Sequence, residues 1–455
     1  MTRPPEHFQY DVVVVGAGSA GLPAAIAAAG RGATVCLVEG TSEVGGTLPL
    51  TRGWMSGAGT RRQAERGIKD CAEAHFQDAM RQGRPGADPA FVWLACELQG
   101  PLIDWLEDAG FEMAAEAPRP PRTHWGVEEG RSILKALRPL LDAHVAAGRI
   151  DLVLNTEVAE LASEYGAVVG VATQDGRQVL GRSVVLATGG YGSNPALFAR
   201  LHRGAVAASG AHPAARGDGL VLGLSAGGAL VRGDGPAANF GGVLDRALTP
   251  PRYRSPGGLT AEDRPPWEIV VNRAGERFYP EDTHDAEARA RLLLAQPGGQ
   301  AWAVYDEAIR REAPSLFRHF DAAKAESFYG PEGSIVSASS LGALAGAAGI
   351  EAAGLAWTVA AYNRAVTKGE DALGRRHLPK RIEAPPFHAL PIMAYTVRST
   401  VGLKVDLELR VLDDGGRPIP GLRAVGEVLG DLVGGMSLGS ALAFGKYLGG
   451  RLPVG

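Results

Sequence analysis

Residues Asp11–Gly40 read DVVVVGAGSAGLPAAIAAAGRGATVCLVEG, and this stretch decides the fold. The valine run Val12–Val15 predicts a strand buried on both faces, as in a parallel sheet. Glycines follow at positions 16, 18 and 21, in the spacing G-x-G-x-x-G, before an alanine-rich helix that we expect to start near Ser19. A second apolar strand then ends in the acid Glu39. Strand, glycine turn, helix and acid in this order predict a βαβ unit that binds a dinucleotide.

Each position of the glycine turn has a physical reason. Gly16 permits the tight turn, Gly18 lets the backbone approach a pyrophosphate, and Gly21 lets the helix pack on the strand. The first free N–H groups of the helix, near Ser19, direct its positive end towards the phosphates. Glu39 stands where a carboxylate binds ribose hydroxyls. The motif by itself leaves open whether the dinucleotide is NAD or FAD.

The composition argues against several classes of protein. A chain of 455 residues is too long for one compact core and indicates two or more domains. The net charge of −4 gives no indication of a nucleic-acid partner. No stretch approaches the roughly 18 consecutive apolar residues that span a bilayer, and the first residues lack the apolar core of a signal peptide. Cys36, Cys71 and Cys96 show no metal-ligand spacing, so we expect no metal and a cytoplasmic location.

A second glycine-rich segment, Gly421–Gly450, favours FAD over NAD. Glycine loses more backbone entropy than other residues when it is ordered, so such a run indicates a backbone that must lie close to something. A nicotinamide cofactor needs no second contact segment this far along the chain, whereas the longer flavin does. The stretch GLRAVGE predicts a short strand ending at Glu427, an acid suited to a ribityl or ribose hydroxyl. From Gly439 we expect a helix whose first N–H groups face the flavin pyrimidine oxygen.

The middle of the chain agrees with a flavin. Val184–Asn194 predicts another apolar strand that ends in a glycine turn, and Asp151–Val158 predicts a strand whose last backbone groups meet the adenine. A further helix is expected to open at Asp218. With these motifs the chain resembles the flavoprotein superfamily of fumarate reductase, succinate dehydrogenase, the ketosteroid dehydrogenases and tricarballylate dehydrogenase. The residues that carry the resemblance are GAGSAG, EGTSEVGGT, LATGG, RGDG, VVNRAGERF, PFHALP, STVGLKVD and GLRAVGEVLGDLVGG.

The resemblance implies an α/β fold, in which a Rossmann-like FAD-binding domain of the two-dinucleotide-binding type is interrupted by a smaller α+β capping domain. We expect the FAD-binding domain at residues 1–255 and 395–455, and the capping or substrate domain at residues 256–394. Linkers at Thr249–Pro266 and Ile382–Phe387 flank a predicted hairpin at Ile269–Tyr279. Helical periodicity is present at Ala286–Leu294 and Leu355–Val366.

The resemblance also implies how FAD is held. We expect non-covalent binding, because no histidine stands in Gly45–Thr60, where succinate dehydrogenases attach FAD. The predicted cofactor-binding residues are Gly16, Gly18, Ser19, Ala20, Gly21, Glu39, Gly40, Gly46, Thr47, Leu48, Gly53, Val158, Ala187, Thr188, Gly189, Asp218, Gly426, Glu427, Ser440, Ala441 and Leu442.

The segment Phe387–Leu403 supplies the main catalytic candidates. Alignment through STVGL places Arg398 where fumarate reductases carry a substrate-binding histidine, and a guanidinium binds a carboxylate or an enolising carbonyl in a fixed fork. The alternative is a surface arginine on an edge strand. His388 and Tyr395 are further acid or base candidates, and each is as readily a structural residue. Strand alternation predicts that Tyr395 and Val397 face one way and Arg398 the other.

Two departures separate the chain from true fumarate reductases and place it nearer the ketosteroid dehydrogenase and tricarballylate dehydrogenase type. The run Gly434–Leu442 lacks the arginine that binds a substrate carboxylate in fumarate reductases. Their acid–arginine proton relay also fails residue by residue, because Glu281 is followed by His284 rather than an arginine, and Arg310 comes at a longer spacing. His284 and Arg310 remain candidates for catalysis.

The sequence therefore predicts an FAD-dependent dehydrogenase or reductase of a C–C bond next to a carbonyl or carboxylate, which exchanges a hydride with flavin N5. The electron-withdrawing group acidifies the α-proton and stabilises the enolate, and Arg398 is predicted to hold it. Two alternatives stay open: a flavin oxidase or amine-type dehydrogenase, and a flavin-carrying electron-transfer subunit without its own catalytic pocket. A small-molecule substrate is expected, whereas its identity, the electron acceptor and the oligomeric state are open.

Overall fold

The structure is a computed structural model that describes residues 8–82, 86–115, 121–203, 207–233, 235, 237–249, 251–330 and 332–454. In chain order the strands are β1 (Tyr10–Val15), β2 (Val35–Val38), β3 (Met55–Ser56), β4 (Thr123–His124), β5 (Ile150–Val153), β6 (Val158–Glu164), β7 (Ala167–Thr173), β8 (Gln178–Leu186), β9 (Ala208–Ser209), β10 (Leu230–Arg232), β11 (Asn239–Asp245), β12 (Arg252–Arg254), β13 (Ile269–Val271), β14 (Gln300–Asp306), β15 (Val336–Ala338), β16 (Phe387–Thr396), β17 (Val401–Leu403), β18 (Arg410–Leu412) and β19 (Pro418–Ala424). The α-helices are α1 (Gly21–Gly30), α2 (Arg61–Glu65), α3 (Ala72–Arg81), α4 (Pro89–Asp108), α5 (Gly130–Ala146), α6 (Pro195–Leu201), α7 (Asp218–Ser225), α8 (Ala286–Leu294), α9 (Glu307–Glu312), α10 (Ala322–Ser327), α11 (Leu341–Ala348), α12 (Ala352–Lys368) and α13 (Ser437–Gly449). Short 3-10 helices occur at Leu48–Leu50, Pro297–Gly299 and Glu427–Leu429.

The chain divides into two compact units. The first unit comprises Met1–Asn194, Ala211–Pro236 and Arg398–Gly455, and the second comprises Pro195–Gly210 and Ala237–Val397. The chain passes from the first unit to the second after residue 236 and returns to the first after residue 397. The sequence predicts these boundaries after residues 255 and 394. The first unit is thus assembled from three separate segments of chain. The roles assigned to the two domains stay predictions.

Strand β1 lies near the centre of the main sheet of the first unit. The side chains of Val12–Val15 are accordingly buried on both faces of the sheet. Its strand order is β18-β19-β8-β1-β2-β5. The pairs β1–β2, β1–β8, β2–β5 and β8–β19 are parallel, and β7 and β6 continue from β8 as antiparallel strands. Parallel pairing brings the carboxyl ends of β1, β2, β8 and β19 to one edge, which is where open α/β sheets bind their ligands. The predicted α/β class is confirmed.

The glycine-rich C-terminal segment packs against the first helix of the chain. Helix α13 lies on α1 and α4. A Cβ atom on Gly445 would lie 2.2 Å from the backbone oxygen of Ala20, and one on Gly449 would lie 2.2 Å from that of Ala24. Real Cβ atoms do not approach backbone this closely, so only glycine permits the distance between these helices. Part of the glycine run is therefore explained by helix packing.

The second unit is built around β16, a strand of 10 residues that pairs with several neighbours. The sheet order is β12-β11-β16-β14-β13, and β15 and β9 also pair with β16. Its apolar core includes Val243, Ile269, Tyr305, Leu355 and Ile392, all almost fully buried. Helices α8 and α11 pack on this sheet and α12 packs on α11, which gives the α+β composition expected of the second domain.

Several predicted elements are confirmed and others are corrected. Helix α8 has the predicted bounds, and α12 covers the predicted periodicity. The prediction of one strand over Asp151–Val158 is wrong, because the chain leaves the sheet after Val153 and Asn155 adopts a left-handed φ of 50°. The predicted linker Thr249–Pro266 contains the strand β12. Among the described ranges, no helix combines the length and apolar character needed to cross a membrane.

Candidate functional site

A cavity of about 600 Å³ lies at the carboxyl ends of β1, β2 and β8, and all of its lining residues belong to the first unit. Its position is the edge of a parallel sheet at which dinucleotides bind. The predicted cofactor-binding residues that line it are Gly16, Gly18, Ser19, Ala20, Glu39, Gly40, Gly46, Thr47, Val158, Ala187, Thr188, Gly189, Asp218 and Glu427. The structure thus brings together residues from both ends and the middle of the chain.

The glycine turn after β1 has the geometry that its sequence requires. Gly16 has a φ of 101°, and a Cβ there would lie 2.6 Å from the backbone oxygen of Ala187. A Cβ on Gly21 would lie 1.8 Å from the backbone oxygen of Gly16. The nearest such contact for Gly18 is the Cα of Gly46 at 4.0 Å, which leaves its backbone open to the cavity. Gly16 and Gly21 are needed for packing, whereas Gly18 leaves room for a ligand.

Glu39 is oriented at the end of β2 by hydrogen bonds from the backbone. Its Oε2 accepts the Ala17 N–H at 2.8 Å, and its Oε1 accepts the Thr41 N–H at 2.9 Å and the Thr41 hydroxyl at 2.8 Å. The carboxylate is partly buried and lines the cavity. Each carboxylate oxygen has two acceptor positions, so three of the four are used and one remains, on Oε2, for a hydroxyl group of a ligand.

Sequence reasoning missed a charged cluster on the wall of the same cavity. Arg216 Nη2 lies 2.9 Å from Glu157 Oε1 and 3.0 Å from Asp218 Oδ2, and Gln174 Nε2 donates to Glu157 Oε2 at 2.7 Å. Of these residues the sequence predicts only Asp218. The sequence feature that could have identified Arg216 is the RGDG motif, which contains it. Glu157 lies between β5 and β6, where the sequence predicts a continuous strand. This cluster fixes the loop between β5 and β6 against the start of α7.

Glu427 connects the main cavity with a smaller one of about 30 Å³. Its Oε1 accepts the Ser399 N–H at 2.7 Å, and burial raises the pKa of its carboxyl group. The smaller cavity is also lined by Arg398 and by the predicted residues Gly426, Ser440 and Ala441. Arg398 is half-buried, with Nη1 3.5 Å from Asp431 Oδ2. The structure therefore places Arg398 beside Glu427, a residue of the cofactor cavity.

Other predicted cofactor residues serve the packing of the first unit. Leu48 and Leu442 are fully buried. Gly53 has a φ of 67° and lies against the backbone of Glu129 and Gly130. Helix α13 starts at Ser437, two residues before the predicted start, so the Ser440 N–H already bonds the Met436 carbonyl at 3.0 Å. The first-turn N–H groups are consequently those before Ser440, which corrects the predicted donors.

The remaining catalytic candidates lie in the second unit, and His388 and Arg310 have protein partners. His388 Nδ1 lies 2.8 Å from the Ser337 hydroxyl and its Nε2 lies 3.0 Å from Glu307 Oε2. Arg310 binds both carboxylate oxygens of Glu326, at 2.7 and 2.9 Å, and covers the ring of Tyr329 at 4.0 Å. His284 is exposed. Catalytic roles for these residues stay predictions.

Tyr395 and Glu281 also have defined surroundings. The side chains of Tyr395 and Val397 both lie beside Gly210, whereas β16 ends at Thr396, so the opposite orientation predicted for Arg398 stays a prediction. Glu281 is buried, accepts the Val270 N–H at 2.9 Å and pairs with Arg277 and Arg375. Glu281 therefore pairs with two arginines that the sequence does not propose, and the failure of the proton relay stays a prediction.

The residues of the main cavity fit FAD. The turn at Gly18 leaves bare backbone at the start of α1, where a pyrophosphate binds, and Glu39 supplies an oriented acceptor for ribose hydroxyls. Glu427, some 400 residues along the chain from this turn, extends the lining beyond what the βαβ unit alone provides. Among the described residues no group of His, Cys, Asp and Glu side chains is arranged to hold a metal ion.

Comparisons with known proteins agree with this assignment. A family model described as FAD binding domain matches residues 11–442. The chain is 30% identical to the fumarate reductase (cytochrome) of Shewanella frigidimarina, over 97% of this chain and 77% of that protein. A flavocytochrome c3 fumarate reductase in its open conformation is similar in structure, with a TM-score of 0.78 and 28% identity over 98% of this chain and 78% of the other.

A steroid enzyme is similar as well. The 3-ketosteroid-delta4-(5alpha)-dehydrogenase from Rhodococcus jostii RHA1 has a TM-score of 0.66 and 26% identity over 98% of both chains. One of these proteins is thus named as a reductase of fumarate and another as a dehydrogenase of a 3-ketosteroid. The superfamily that the motifs resemble is confirmed, and so is FAD as its cofactor.

Proposed function

The chain belongs to the FAD binding domain family, and on that premise we propose that its substrate is a small molecule with a carbonyl or carboxylate next to the reacting C–C bond. The protein is an FAD-dependent oxidoreductase of the kind that reduces C=C bonds or dehydrogenates CH–CH groups. When bound, FAD supplies the group that accepts or donates the hydride. The chain itself must hold the cofactor, orient the substrate and stabilise charge at the substrate oxygen.

Arg398 is the residue that we assign to the substrate oxygen. The observation that carries this assignment is its place beside Glu427, which lines the cofactor cavity. Its guanidinium is half-buried and forms an ion pair with Asp431, in which Nη1 lies 3.5 Å from Oδ2. A guanidinium keeps its proton and can give two parallel hydrogen bonds to a carboxylate or an enolate oxygen. The run Gly434–Leu442 offers no other cation for this role.

Glu427 lies beside Arg398 and supports its position through the neighbouring backbone. Burial raises the pKa of the Glu427 carboxyl group, while the Ser399 N–H and the charge of Arg398 act in the opposite direction. Because Glu427 Oε1 accepts the Ser399 N–H at 2.7 Å, it holds the backbone next to Arg398 in place. Glu427 is thus a positioning residue in this proposal.

Replacing Arg398 tests the proposed function directly. Arg398→Ala should keep its FAD and its stability, yet the rate of anaerobic flavin reduction should fall by roughly 100- to 1,000-fold, since one oxyanion donor is worth about that much. Arg398→Lys should recover only part of the rate, because a point charge cannot reproduce the bidentate fork. Stopped-flow absorbance with a panel of saturated acids and ketones measures the rate.

Arg410→Ala is the matched control, because Arg410 is a partly exposed arginine of the same unit that also pairs with an aspartate, Asp406. It should reduce its flavin at the wild-type rate. If Arg398→Ala does so too, Arg398 is structural and the proposed assignment fails. Reduction by amines but not by acids or ketones would favour the amine-dehydrogenase alternative, and reduction by none of these compounds would favour an electron-transfer role.

The cytoplasmic location is also a proposal. The three cysteines Cys36, Cys71 and Cys96 are free, and Cys71 is exposed. A free surface thiol persists in a reducing compartment, and this supports the cytoplasm. Fractionation of the source cells followed by immunodetection tests it, and recovery of the protein in another compartment would contradict it.

A further inference from the structure

In the sheet of the second unit, the side chains of Ser337, His388 and Tyr305 lie next to one another on three neighbouring strands. In the register of β15 and β16, Ser337 lies directly opposite His388. On the other side of β16, Tyr305 of β14 lies opposite the same histidine. Directly opposed residues of antiparallel strands point to the same face of a sheet, so these side chains form one row. The hydroxyl of Ser337 lies 2.8 Å from His388 Nδ1.

A carboxylate completes the row behind the histidine. Glu307 is the first residue of α9, immediately after β14, and its Oε2 lies 3.0 Å from His388 Nε2. The side chain is mostly buried and is held by Arg311 at 2.8 Å and Arg310 at 3.3 Å. With a carboxylate at Nε2, the imidazole carries its proton there. Its Nδ1 is then the acceptor of the Ser337 O–H.

Burial increases along this row from the serine to the histidine. Ser337 is exposed, whereas His388 is only 2% exposed. The rings of Tyr305 and Tyr329 lie 5.3 and 5.5 Å from the imidazole and exclude water from it. Burial lowers the pKa of His388, which keeps the ring neutral and able to accept a proton. The exposed hydroxyl of Ser337 therefore contacts a buried base, His388, and that base contacts the carboxylate of Glu307.

We propose that Ser337, His388 and Glu307 form a second reactive site, in which Ser337 is an acyl-accepting nucleophile for activated esters. The Ser337 oxygen forms a bond to the acyl carbon while its proton passes to His388 Nδ1. The ester C–O bond then breaks, and the alcohol leaves with that proton. Water repeats both steps and releases the carboxylic acid, so the serine is restored and no oxidant or reductant is needed. Glu307 stabilises the imidazolium that forms in each half.

This site is separate in its chemistry from the proposed flavin reaction. Both ring nitrogens of His388 are engaged within the row, by Ser337 and Glu307. The residues assigned to the flavin reaction, Arg398 and Glu427, belong to the first unit, and the row belongs to the second. A failure of one assignment therefore leaves the other intact.

A covalent serine probe tests the proposal on the FAD-loaded protein. An alkyl fluorophosphonate bonds to an activated serine oxygen and releases fluoride, and peptide mass spectrometry locates the adduct. We expect the adduct on Ser337 and its loss in Ser337→Ala. Ser339→Ala is the matched control, since Ser339 is an exposed serine two residues along, and it should label like wild type. The hydrolysis of p-nitrophenyl acetate should follow the same pattern.

The carboxylate provides the second, independent arm. Glu307→Gln removes the charge but keeps the side-chain size, and it should slow labelling by roughly 100-fold, the lower end of what general-base assistance contributes. Flavin absorbance and flavin reduction should be unchanged in Ser337→Ala, which shows that the fold is kept. No adduct on Ser337, equal labelling of Ser339, or an undiminished rate in Glu307→Gln would each overturn the proposal.

Discussion

Glu39 is held in place by three hydrogen bonds, from the Ala17 N–H and from the N–H and hydroxyl of Thr41, so that its orientation does not depend on a ligand. An acceptor fixed in this way loses little entropy when it binds a ribose. The sequence predicts this residue, because a βαβ unit puts the end of its second strand beside the glycine turn. It does not predict the two bonds from Thr41, which depend on the local path of the chain after β2.

Substitution of Glu39 should weaken the retention of FAD. A hydrogen bond to a charged group is worth about 1.5–3 kcal/mol, so Glu39→Ala should raise the dissociation constant of FAD by roughly 10- to 100-fold. Glu39→Gln keeps an acceptor and should have a smaller effect. Fluorescence titration of the stripped protein with FAD measures both, with Glu43→Ala as a nearby exposed control. Full loading of Glu39→Ala at wild-type affinity would remove Glu39 from the cofactor site.

His75 shows how a single buried ring makes stability depend on pH. It lies in α3, is 5% exposed, and burial together with the charge of Arg122 lowers its pKa to about 4. The unfolded chain takes up a proton near pH 6.5 that the folded chain does not accept. The contribution of neutral His75 to the free energy of unfolding is therefore fully present above pH 6.5. It is lost on acidification towards pH 4, by roughly 3 kcal/mol at most.

The pH dependence should become weaker when this ring is removed. We expect wild type to lose roughly 1–2 kcal/mol more than His75→Gln between pH 6.5 and 5, since one unit of pKa shift corresponds to about 1.4 kcal/mol. Urea titrations at the two pH values measure the difference. Met80→Leu, at an exposed position of the same helix without a titratable group, should keep the wild-type slope. Equal slopes for His75→Gln and wild type would show that His75 is protonated in the folded protein.

The pair α1 and α13 illustrates what patterns reveal at the level of elements. The glycines of the C-terminal segment predict a close approach of backbone, and the partner expected is the flavin. Gly445 and Gly449 instead contact α1, where an added Cβ would lie 2.2 Å from a backbone oxygen in each case. A glycine in the sequence indicates that another group lies close to its backbone. It does not indicate which group, because that group comes from another part of the chain. The break between β5 and β6 within Asp151–Val158 escapes prediction for a related reason, since both pieces have strand-like composition.

Separating these two helices should cost stability. Gly445→Ala places a methyl group against the backbone oxygen of Ala20, and we expect it to destabilise the protein by about 1–3 kcal/mol, as overpacking typically does. It should also loosen FAD, because Ala20 lines the cofactor cavity. Thermal denaturation of the FAD-loaded protein measures the first effect. Gly450→Ala is the control, because Gly450 follows the helix with an αR backbone, and a Cβ added there would lie 3.4 Å from its nearest neighbour. An unchanged melting temperature for Gly445→Ala would mean that the helices separate without cost.

At the scale of the whole molecule, the cofactor cavity joins segments that are far apart in the sequence. Its lining runs from Val15 to Glu427, and it passes through the turn after β8 and the start of α7. Motifs predict these segments because each one carries a glycine turn or an acid at a strand end. The contacts of Arg216 with Glu157 could not be predicted, since a salt bridge over 59 positions leaves no local pattern.

Removal of FAD should lower the stability of the protein as a whole. A ligand that binds only the folded state stabilises it by about 2.7 kcal/mol at 100 times its dissociation constant. We expect the stripped protein to melt at a lower temperature, and added FAD to restore the melting temperature. FMN should restore less, because it lacks the adenosine and second phosphate that we assign to Glu39 and to the turn at Gly18.

Acid precipitation provides a second readout of the same property. Non-covalent FAD should appear in the supernatant, and the pellet should be colourless. Yellow colour that stays with the pellet would contradict the assignment of non-covalent binding, and restoration by FMN equal to that by FAD would contradict the roles given to the adenosine contacts.

The three-segment construction of the first unit has a consequence for synthesis on the ribosome. Translation delivers Val397, the last residue of the second unit, before any of Arg398–Gly455 has left the exit tunnel. The second unit can thus be complete while the first still lacks β19 and α13. In that interval the edge of β8 at Val184–Leu186 has no β19 to pair with, and α1 has no α13 to cover Ala20 and Ala24. The nascent chain carries an open strand edge until β19 emerges, and an open edge of this kind is where two such chains adhere.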